Sequence, residues 1–579
     1  MTLMRISSKK RTACVTKGRG GMVVTATREA SEAGIEILKK GGNAFDAAVA
    51  VSLVLAVTEP ECSGLGGNGF MTAHLGKENR NVFLDFWTMA PGWATPENLK
   101  KKEENAPAFY AVGIPGEAAG LDYICRTYGT MPLKELVKPA VKLAREGFPV
   151  GRLLANDLTV FHEKLARYAE RNNPYVTKEH WKAGDILRNP DLADSIEAFG
   201  EGGADAFYRG PLTDKMIAGL NRFGGQFTRE DFARYTVHPG IPSYGRYRGY
   251  EIFSSQPPST GGTAVIESLQ MLEHFPVSDW AFDSPERLFV LSEIFKKSFS
   301  DRYKYICDPM PQEMPLKGLR SPEFAALRAS QIRIGRAEAP APDDPWPYES
   351  PDTTHFSIAD AEGNLVAETQ TISAFFGCGI VPAGTGIVFN SQINGLPVGK
   401  AAPYCRSIST TSPTLLFKDG KPFAVVGSPG ANRIISTVAQ VIHNMIDGKM
   451  TAEEAVFAPR IFNDQNGTFR YEGDFSPETI RKIEEWGQPV EGMMPLARYM
   501  GGVGLIRFED DGTMTGVADS RRDGVALCTE PATAAAGPKE EDGPVIFYRS
   551  HRSLAKSGNR CRGSAKAWRR YWHSGSTIY

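Results

Sequence analysis

The stretch TTHFSIADAEGNLVAETQTIS, residues 353–373, decides the fold predicted for this chain, because it has the pattern of a β-hairpin. Two alternating runs flank a three-residue loop at 361–363, and Gly363 stands where such a loop needs a left-handed residue. Asp360 is then opposite Asn364, and residue numbers that pair across the hairpin add up to 724. The hairpin therefore has a register that can be predicted from the loop alone.

This register places Thr353 directly opposite Thr371, so that two hydroxyl groups face each other at one end of the hairpin. The alternation puts Thr353 and His355 on one face of the first strand and Thr354 and Phe356 on the other, which is typical of a half-buried strand. Threonine is common in strands, and cross-strand threonine pairs stabilise sheets modestly. A purely structural role of the pair is one interpretation.

The other interpretation is that Thr353 is a nucleophile at the start of a chain. If the peptide bond before Thr353 is cut, the new α-amine, with a pKa near ~8, can act as the base for the hydroxyl of the same residue. Such a residue needs no distant histidine. This would explain why the chain has no convincing Ser-His-Asp set and why the proline-rich, acidic segment 336–354 precedes the threonine pair.

Two further segments predict elements around the hairpin. Residues 29–60 read as two helices, separated by Gly41 and Gly42, and the second is apolar all round and therefore buried. Residues 421–442, KPFAVVGSPGANRIISTVAQVI, read as a strand, a tight turn and a helix. The amides of Gly430 and Ala431 lie at that helix start, where they can donate to an oxyanion. A plain strand-to-helix turn is the alternative.

Composition excludes several classes of protein. Apolar residues make up 41% and charged residues 23% of the 579, which are values typical of globular proteins. The formal net charge of −1 gives no reason to expect binding to nucleic acid or to a membrane surface. A chain of this length is expected to form more than one unit. Residues 130–240 read as mainly helical and are expected to form a lobe over a core sheet.

The cysteines and the N-terminus predict the compartment, and the C-terminal residues form a separate segment. The eight cysteines lack zinc-site spacing and are interpreted as buried thiols of a reducing compartment. The basic N-terminus lacks the apolar core of a secretory signal, so a cytoplasmic location is expected. After residue 528 a linker-like stretch leads to 549–579, with eight Lys and Arg residues and no acidic one. Residues 529–579 are predicted to be a disordered basic tail.

Several motifs spread over residues 20–528 resemble the γ-glutamyltranspeptidase (glutathione hydrolase) family of N-terminal nucleophile hydrolases. They are GGNAFDAAVAVSLVLAVTEP, GLGGNGFM, DFWTMAP, GIPGEAAGLDYICRTYGTMPL, QPPSTGGT, TTHFSIADAEGN, SISTTSPT and GSPGANRII. Their order and spread make chance similarity improbable. The resemblance implies an α/β fold, a four-layer αββα sandwich with a helical lobe, and an enzyme made as a self-cleaving proenzyme.

The resemblance also implies roles for particular residues. The cut lies between Asp352 and Thr353 and gives a large chain, 1–352, and a small chain that starts at Thr353 and is structured to residue 528. The two chains stay together as a heterodimer. Thr353 becomes the nucleophile, and Thr371 matches the second threonine, which hydrogen-bonds it. Gly430 and Ala431 match the oxyanion hole, although the family usually has glycine at the second position.

Substrate recognition departs from the family pattern. The arginine that grips the glutamyl carboxylate in the family is replaced by Trp87, and the asparagine and aspartate that meet the amino group are replaced by Ser373 and Gly395. Polar headgroup positions are retained at Gln392, Ser409 and Thr410. An unpaired buried charge costs several kcal/mol, so a zwitterionic glutamyl group is expected to bind less well than in the family.

Three functions therefore remain open. The first is a γ-glutamyltransferase or glutathione hydrolase that forms an acyl-enzyme on Thr353 and passes the acyl group to water or an amine. The second is an amidohydrolase for glutaryl or oxamate-like acyl amides, in which Trp87 either stacks on the acyl group or has a structural role only. The third is an inactive relative that serves as a binding or scaffold protein. No metal-ligand spacing is found, and no cofactor is expected.

Overall fold

A computed structural model describes residues 14–100, 108–170, 173–306, 314–339, 352–396, 401–464, 466–473 and 475–531. The predicted segment 336–354 lies mostly outside this range, and so do residues 532–579 of the predicted tail. The last described strand runs to Pro531, which is three residues beyond the predicted end of the structured part. The predicted division into chains and tail stays a prediction.

Strands and helices are numbered here in chain order. The strands are β1 (Val15–Thr25), β2 (Asn68–Leu75), β3 (Arg80–Phe86), β4 (Phe148–Pro149), β5 (Ile186–Leu187), β6 (His238–Gly240), β7 (Ser243–Tyr247), β8 (Tyr250–Ser254), β9 (Asp352–Ala359), β10 (Leu365–Ser373), β11 (Thr414–Lys418), β12 (Lys421–Gly427), β13 (Ile461–Phe462), β14 (Phe469–Glu472), β15 (Val490–Met493), β16 (Gly504–Phe508), β17 (Met514–Ala518) and β18 (Val525–Pro531).

The helices include the two predicted before residue 60 and the helical run predicted over 130–240. They are α1 (Arg28–Lys39), α2 (Ala44–Thr58), α3 (Pro96–Lys100), α4 (Glu117–Tyr128), α5 (Leu133–Leu136), α6 (Lys138–Glu146), α7 (Arg152–Val160), α8 (His162–Arg167), α9 (Pro190–Tyr208), α10 (Pro211–Arg222), α11 (Arg229–Ala233), α12 (Gly261–Leu272), α13 (Pro285–Tyr305), α14 (Leu316–Leu319), α15 (Pro322–Ser330), α16 (Arg433–Ile446), α17 (Ala452–Phe457) and α18 (Pro477–Glu485).

One 13-stranded sheet forms the centre of the described molecule, in the order β6-β3-β2-β10-β9-β1-β17-β16-β12-β11-β8-β7, with β18 also on β1. The sheet folds over at β1, whose first residues pair with β17 and whose later residues pair with β9 and β18. The two halves face each other: the ring of His74 on β2 lies 5.0 Å from that of Phe417 on β11. The two halves form the two inner layers.

Helices cover the outer face of each half and complete the four-layer αββα sandwich that the resemblance implied. On the first half, α1, α2, α4 and the helical lobe share an apolar core with β2, β9 and β10. On the second half, α12, α13 and α16 pack on β8, β11, β12 and β16. A third apolar cluster fills the space between the sheets. The site described below lies at one end of this inner space.

Burial of β9 differs from the prediction. The hairpin pattern predicted a half-buried strand, yet every described side chain of β9 from Thr354 to Ala359 is buried. The reason is the sandwich itself: Phe356 and Ile358 pack under the helices, whereas His355 and Ser357 face the second sheet. Polar residues on that face therefore lie inside the protein and not in solvent.

Two features bear on the predicted compartment. Of the cysteines in the described residues, five are buried and Cys405 is half-buried, and all six are free thiols. None of the described helices has the length and apolar character needed to cross a bilayer. The cellular location stays a prediction.

Candidate active site

The hairpin β9–β10 has the predicted loop and register over most of its length. Gly363 has φ +83°, and the Asp360 amide donates to the Asn364 carbonyl at 3.1 Å. Pairs run from Ala359 with Leu365 to Thr354 with Gln370, all adding up to 724. Side-chain bonds tie the loop down: Asp360 accepts from the Asn364 amide at 2.9 Å and from the start of α2, the amide of Ala44, at 2.8 Å.

At the threonine end the register shifts, and the predicted direct pairing of Thr353 with Thr371 is wrong. Asp352 pairs with Ser373, one residue out of the earlier register, so both threonines lie inside an irregularity. Ser373 has φ +79°, and its amide donates to the Thr371 hydroxyl at 2.8 Å. A serine in the left-handed region has no signature in the sequence, so the loop could not reveal this bulge. The two threonines still lie at the same end of adjacent strands.

His355 locks the hairpin against the second sheet. Its Nδ1 lies 2.9 Å from the Thr369 hydroxyl and its Nε2 3.1 Å from the Ser357 hydroxyl. Burial lowers the pKa of His355 to about 3, so the imidazole is neutral at ordinary pH. The ring lies against the backbone of Gly427 and Gly504; a Cβ at Gly427 would collide with it, and one at Gly504 would make a tight contact at 3.2 Å. A neutral imidazole whose two nitrogens are both engaged in this way can position the hairpin, and it gives no sign of a general base.

The predicted strand, turn and helix are present. Gly427 is the last residue of the strand, β12, and the turn and α16 come after it. Gly430 has φ +130° and Ala431 has φ +50°, after which α16 begins at Arg433. Within the described part of the chain, neither the Gly430 nor the Ala431 amide donates to a protein acceptor. Ala431 therefore holds a strained conformation that glycine would adopt freely, with its amide available to an anion. The hydroxyl of Ser428 accepts from the Gly502 amide at 3.1 Å and fixes the turn from behind.

We expect Gly427→Ala to impair both stability and turnover. The new Cβ would lie 2.3 Å from Cε1 of His355, a collision that only movement of the hairpin or of β12 can relieve. Overpacking of this kind costs about 1–3 kcal/mol of unfolding free energy. A shift of about 1 Å between nucleophile and oxyanion donors can lower kcat on the order of 100-fold. Urea unfolding and kcat on one anilide substrate measure the two effects.

Gly318→Ala is the matched control for this prediction. A Cβ at Gly318, inside α14, would meet no heavy atom within 4 Å beyond its chain neighbours and its own helix, so the same substitution should not destabilise the fold and should leave kcat unchanged. Wild-type stability and turnover in Gly427→Ala would contradict the proposed contact between the hairpin and the turn.

The predicted headgroup residues fall into two groups around the end of β10. Ser373 and Gln392 are neighbours, because the amide of Ser391 donates to the Ile372 carbonyl at 3.0 Å and the Ala374 amide to the Ser391 hydroxyl at 3.1 Å. Gln392 and Gly395 share one 3-10 turn, Gln392–Gly395. The Oε1 atom of Gln392 is buried with no partner among the described residues.

The second group is centred on Trp87. Its indole is 2% exposed, stacks on Phe70 with 4.7 Å between ring centroids, and donates from Nε1 to the Ser407 hydroxyl at 3.0 Å. Ser407 is two residues before Ser409, whose carbonyl accepts from the Thr260 amide at the start of α12 at 2.8 Å. Main chain of residues 409–411 fills that helix start, which leaves no room there for a carboxylate. Thr410 follows in the same segment and is buried.

A buried ion pair beside Trp87 was missed by the sequence analysis. Arg406 and Asp85 are both less than a tenth exposed, and their side chains are in contact. The same guanidinium also donates to the Asp85 carbonyl at 3.3 Å, and Tyr235 joins the group by donating to the Trp87 carbonyl at 2.8 Å. Burial nevertheless raises the pKa of Asp85 above its ordinary value. Asp85 stands in the DFWTMAP motif, but no local pattern indicates that Arg406, 321 residues away, pairs with it.

A pair of buried carboxyl groups lies on the helix side of β10. Glu368 and Glu117 lie close together beside the Gln370 side chain, and the Ser52 hydroxyl donates to Glu368 at 3.0 Å. Burial raises the pKa of Glu368 to about 8 and that of Glu117 well above its ordinary value. The pair therefore holds at least one proton at neutral pH, since two adjacent carboxylates repel each other. This pair was not predicted.

One group has the atom types of a metal site. Ligand atoms of Glu59, Glu61 and Cys62 lie within 4.8 Å of one another. However, the Arg522 guanidinium donates to Glu59 at 2.9 Å and to the Cys62 sulfur at 3.4 Å, and Arg498 also contacts Cys62. The guanidinium groups already neutralise the acidic side chains, so the group is a buried ion cluster and a poor place for a cation.

Comparisons with known proteins agree with this geometry. A family model described as Gamma-glutamyltranspeptidase matches residues 30–529. The Glutathione hydrolase proenzyme of Bacillus subtilis (strain 168) is 37% identical over 540 residues, covering 88% of this chain and 92% of that protein. The Acylase ACY 1 proenzyme of Pseudomonas sp. (strain SE83) is 33% identical over 550 residues, covering 90% and 96%. The crystal structure of cephalosporin acylase from Bacillus halodurans superposes with a TM-score of 0.81 at 27% identity, covering 89% and 96%.

Proposed function

The chain belongs to the gamma-glutamyltranspeptidase family and is a self-processing enzyme of the glutathione hydrolase type, and we propose that Thr353 is its nucleophile. Cleavage after Asp352 frees the α-amine of Thr353, which takes the proton of its own hydroxyl as that oxygen attacks an amide carbonyl. The amides of Gly430 and Ala431 stabilise the oxyanion, and water or an amine then resolves the ester.

One observation carries this assignment. The ring of His355, two residues after Thr353 in β9, packs against Gly427, three residues before Gly430. This contact brings the start of β9 to the same end of the inner space as the turn in which the Gly430 and Ala431 amides have no acceptor among the described residues. A nucleophile and oxyanion donors must meet for acyl transfer; here the nucleophile is on β9 and the donors are in the turn that follows β12.

The two chains produced by the cut are expected to stay together as a heterodimer. Strands from before residue 352 and strands from after it alternate in the sheet: β10 and β9 lie between β2 and β1, and β1 in turn pairs with β17 and β18. Separation would break several ladders of backbone hydrogen bonds at once. Unpaired buried backbone groups are costly, so the pieces should remain one folded unit.

Glutathione or another γ-glutamyl amide is the first candidate for the acyl donor, in line with the relatives named as glutathione hydrolases. A second candidate is an acyl amide without the amino acid headgroup, in line with the relative named as an acylase. The observation that favours the second is Trp87, which fills the expected arginine position with an uncharged, stacked indole.

A substrate panel on purified protein tests both parts of the proposal. N-terminal sequencing of the small chain should begin at Thr353, and its intact mass should match 227 residues. The panel compares γ-glutamyl, glutaryl and oxamate p-nitroanilides at equal concentration. Higher kcat/KM for γ-glutamyl than for glutaryl supports the first donor, and the reverse order supports the second. A small chain that starts elsewhere, or activity in uncut protein, would contradict the assignment of Thr353.

A further inference from the structure

Asn68 has a buried side-chain amide that makes no hydrogen bond to the described part of the protein. It is the first residue of β2, follows the glycines of GLGGNGF, and is fully buried. Neither Nδ2 nor Oδ1 has a hydrogen-bond partner among the described residues. A buried amide that forms no hydrogen bond destabilises the folded chain, so a residue of this kind needs an explanation outside the fold.

The side chain of Asn68 faces the space between the two sheets. A side chain at the next residue, Gly69, would collide with the ring of Phe86 in the core under the helices. Phe70 points the other way and stacks on Trp87. Because successive side chains of a strand alternate between its faces, Asn68 lies on the same face as Phe70 and Trp87.

The register places Asn68 next to the reacting residues. Asn68 pairs with Thr371 of β10, and Thr353 is on β9, the strand beyond. Strands are about 4.8 Å apart, so β2 and β9 are separated by about 10 Å. A five-carbon acyl chain on Thr353 and the side chain of Asn68 are together long enough to span the gap between the two strands. Asp352 pairs with Ser373 in the uncut chain, at this same end of the sheet.

A second unpartnered amide lies close to the same place. Asn390 donates to the Gly66 carbonyl at 2.8 Å and accepts from the Gln392 amide at 3.1 Å, so it joins the segment before Asn68 to the segment of Gln392. Oε1 of Gln392 is buried and also has no partner in the described residues. Asn68 therefore has free hydrogen-bonding capacity on the face of Trp87, and Oε1 of Gln392 adds a free acceptor on the segment that Asn390 ties to Gly66.

We propose that Asn68 contacts the acyl group of the substrate and determines acyl specificity, an inference that rests on Thr353 being the nucleophile. Its amide offers one donor side and one acceptor side and no charge. It suits an acyl group with a carbonyl, hydroxyl, carboxamide or carboxylate at its far end, held against Trp87. This grip replaces the charged contacts that a zwitterionic headgroup would need.

Substitution of Asn68 by aspartate tests the contact through the ratio of kcat/KM for two anilide substrates. γ-Glutamyl and glutaryl p-nitroanilides differ only in the α-ammonium group, and kcat/KM is measured for both with processed enzyme, normalised to the amount of small chain. In Asn68→Asp, the new carboxylate pairs with the ammonium and repels the terminal carboxylate of glutaryl. We expect the γ-glutamyl to glutaryl ratio to rise on the order of tenfold or more. An unchanged ratio in an active variant overturns the proposal.

Two further measurements separate this contact from a structural role. In Asn68→Ala, kcat/KM should fall about tenfold for glutaryl anilide relative to pentanoyl anilide, which has no polar group at its far end. An equal fall for both acyl groups overturns the proposal even where the variant is less stable. Thr72→Val is the matched control, because Thr72 lies on the same strand and face with a buried, unpartnered hydroxyl, four residues farther along. It should leave both ratios unchanged.

Failure of this inference can be told apart from failure of the proposed function. Wild-type protein that does not begin its small chain at Thr353 removes the nucleophile assignment and the inference with it. Wild-type protein that is cut and active, combined with ratios in the Asn68 variants that stay at the wild-type value, removes only the role of Asn68.

Discussion

Thr353→Ala is expected to yield a single uncut chain of 63.2 kDa with no measurable amidase activity. Alanine has no hydroxyl to attack the preceding peptide bond, so neither the cut nor the acyl-enzyme can form. Denaturing electrophoresis and intact mass report the cut, and release of p-nitroaniline reports activity. The wild type should instead give chains of 352 and 227 residues. An uncut but otherwise folded wild type would favour the scaffold alternative for this particular chain.

The adjacent threonine supplies the control. Thr354 lies on the face of β9 opposite to His355, is fully buried, and has no hydrogen-bond partner for its hydroxyl among the described residues. Thr354→Val keeps the shape of that side chain and should leave cleavage and turnover intact. Thr353→Ser keeps a hydroxyl and should retain cleavage at a reduced rate. Processed and active Thr353→Ala would refute the mechanism.

Asp519→Ala is expected to lower the unfolding free energy by about 3–5 kcal/mol, the usual effect of breaking a buried ion pair. Asp519 is 2% exposed and accepts from Arg460 at 2.7 Å, from the Val503 amide at 3.0 Å and from the Arg521 amide at 3.0 Å. Removal leaves the Arg460 guanidinium buried without a carboxylate. Urea unfolding at neutral pH measures the loss, and Asp510→Ala at an exposed turn should change little.

The pH dependence of stability gives a second measure of the same carboxylate. The two neighbouring guanidinium groups lower the pKa of Asp519 to about 2, whereas burial alone would raise it. A carboxyl whose pKa is lower in the folded state stabilises the fold above its ordinary pKa, near 3.8, and loses this effect as pH falls through 2. The difference between wild type and Asp519→Ala should therefore shrink between about pH 4 and pH 2. A constant difference would mean that Asp519 does not act through its charge.

Short-range signals in the sequence were sufficient for most elements of the fold. Asn43 forms the capping box that begins α2, and Gly363 closes the hairpin with φ +83°. Both features depend on the backbone preferences of residues only a few positions apart, which a local pattern records. The turn before α16 was predicted for the same reason. The resemblance then supplied the order of the layers, which local patterns could not.

Side-chain surroundings that depend on distant parts of the chain were decided only by tertiary packing. The amino acids alone were enough to indicate the hairpin, a candidate nucleophile at its end and a turn with free amides. They could not indicate the shift at Ser373, the ion pair of Asp85 with Arg406, or the unpartnered amide of Asn68. The ion pair and the amide depend on segments that are distant in the chain, and the shift depends on a backbone conformation of Ser373 that no local pattern records. Neighbours brought together in that way leave no trace in the local pattern of either segment.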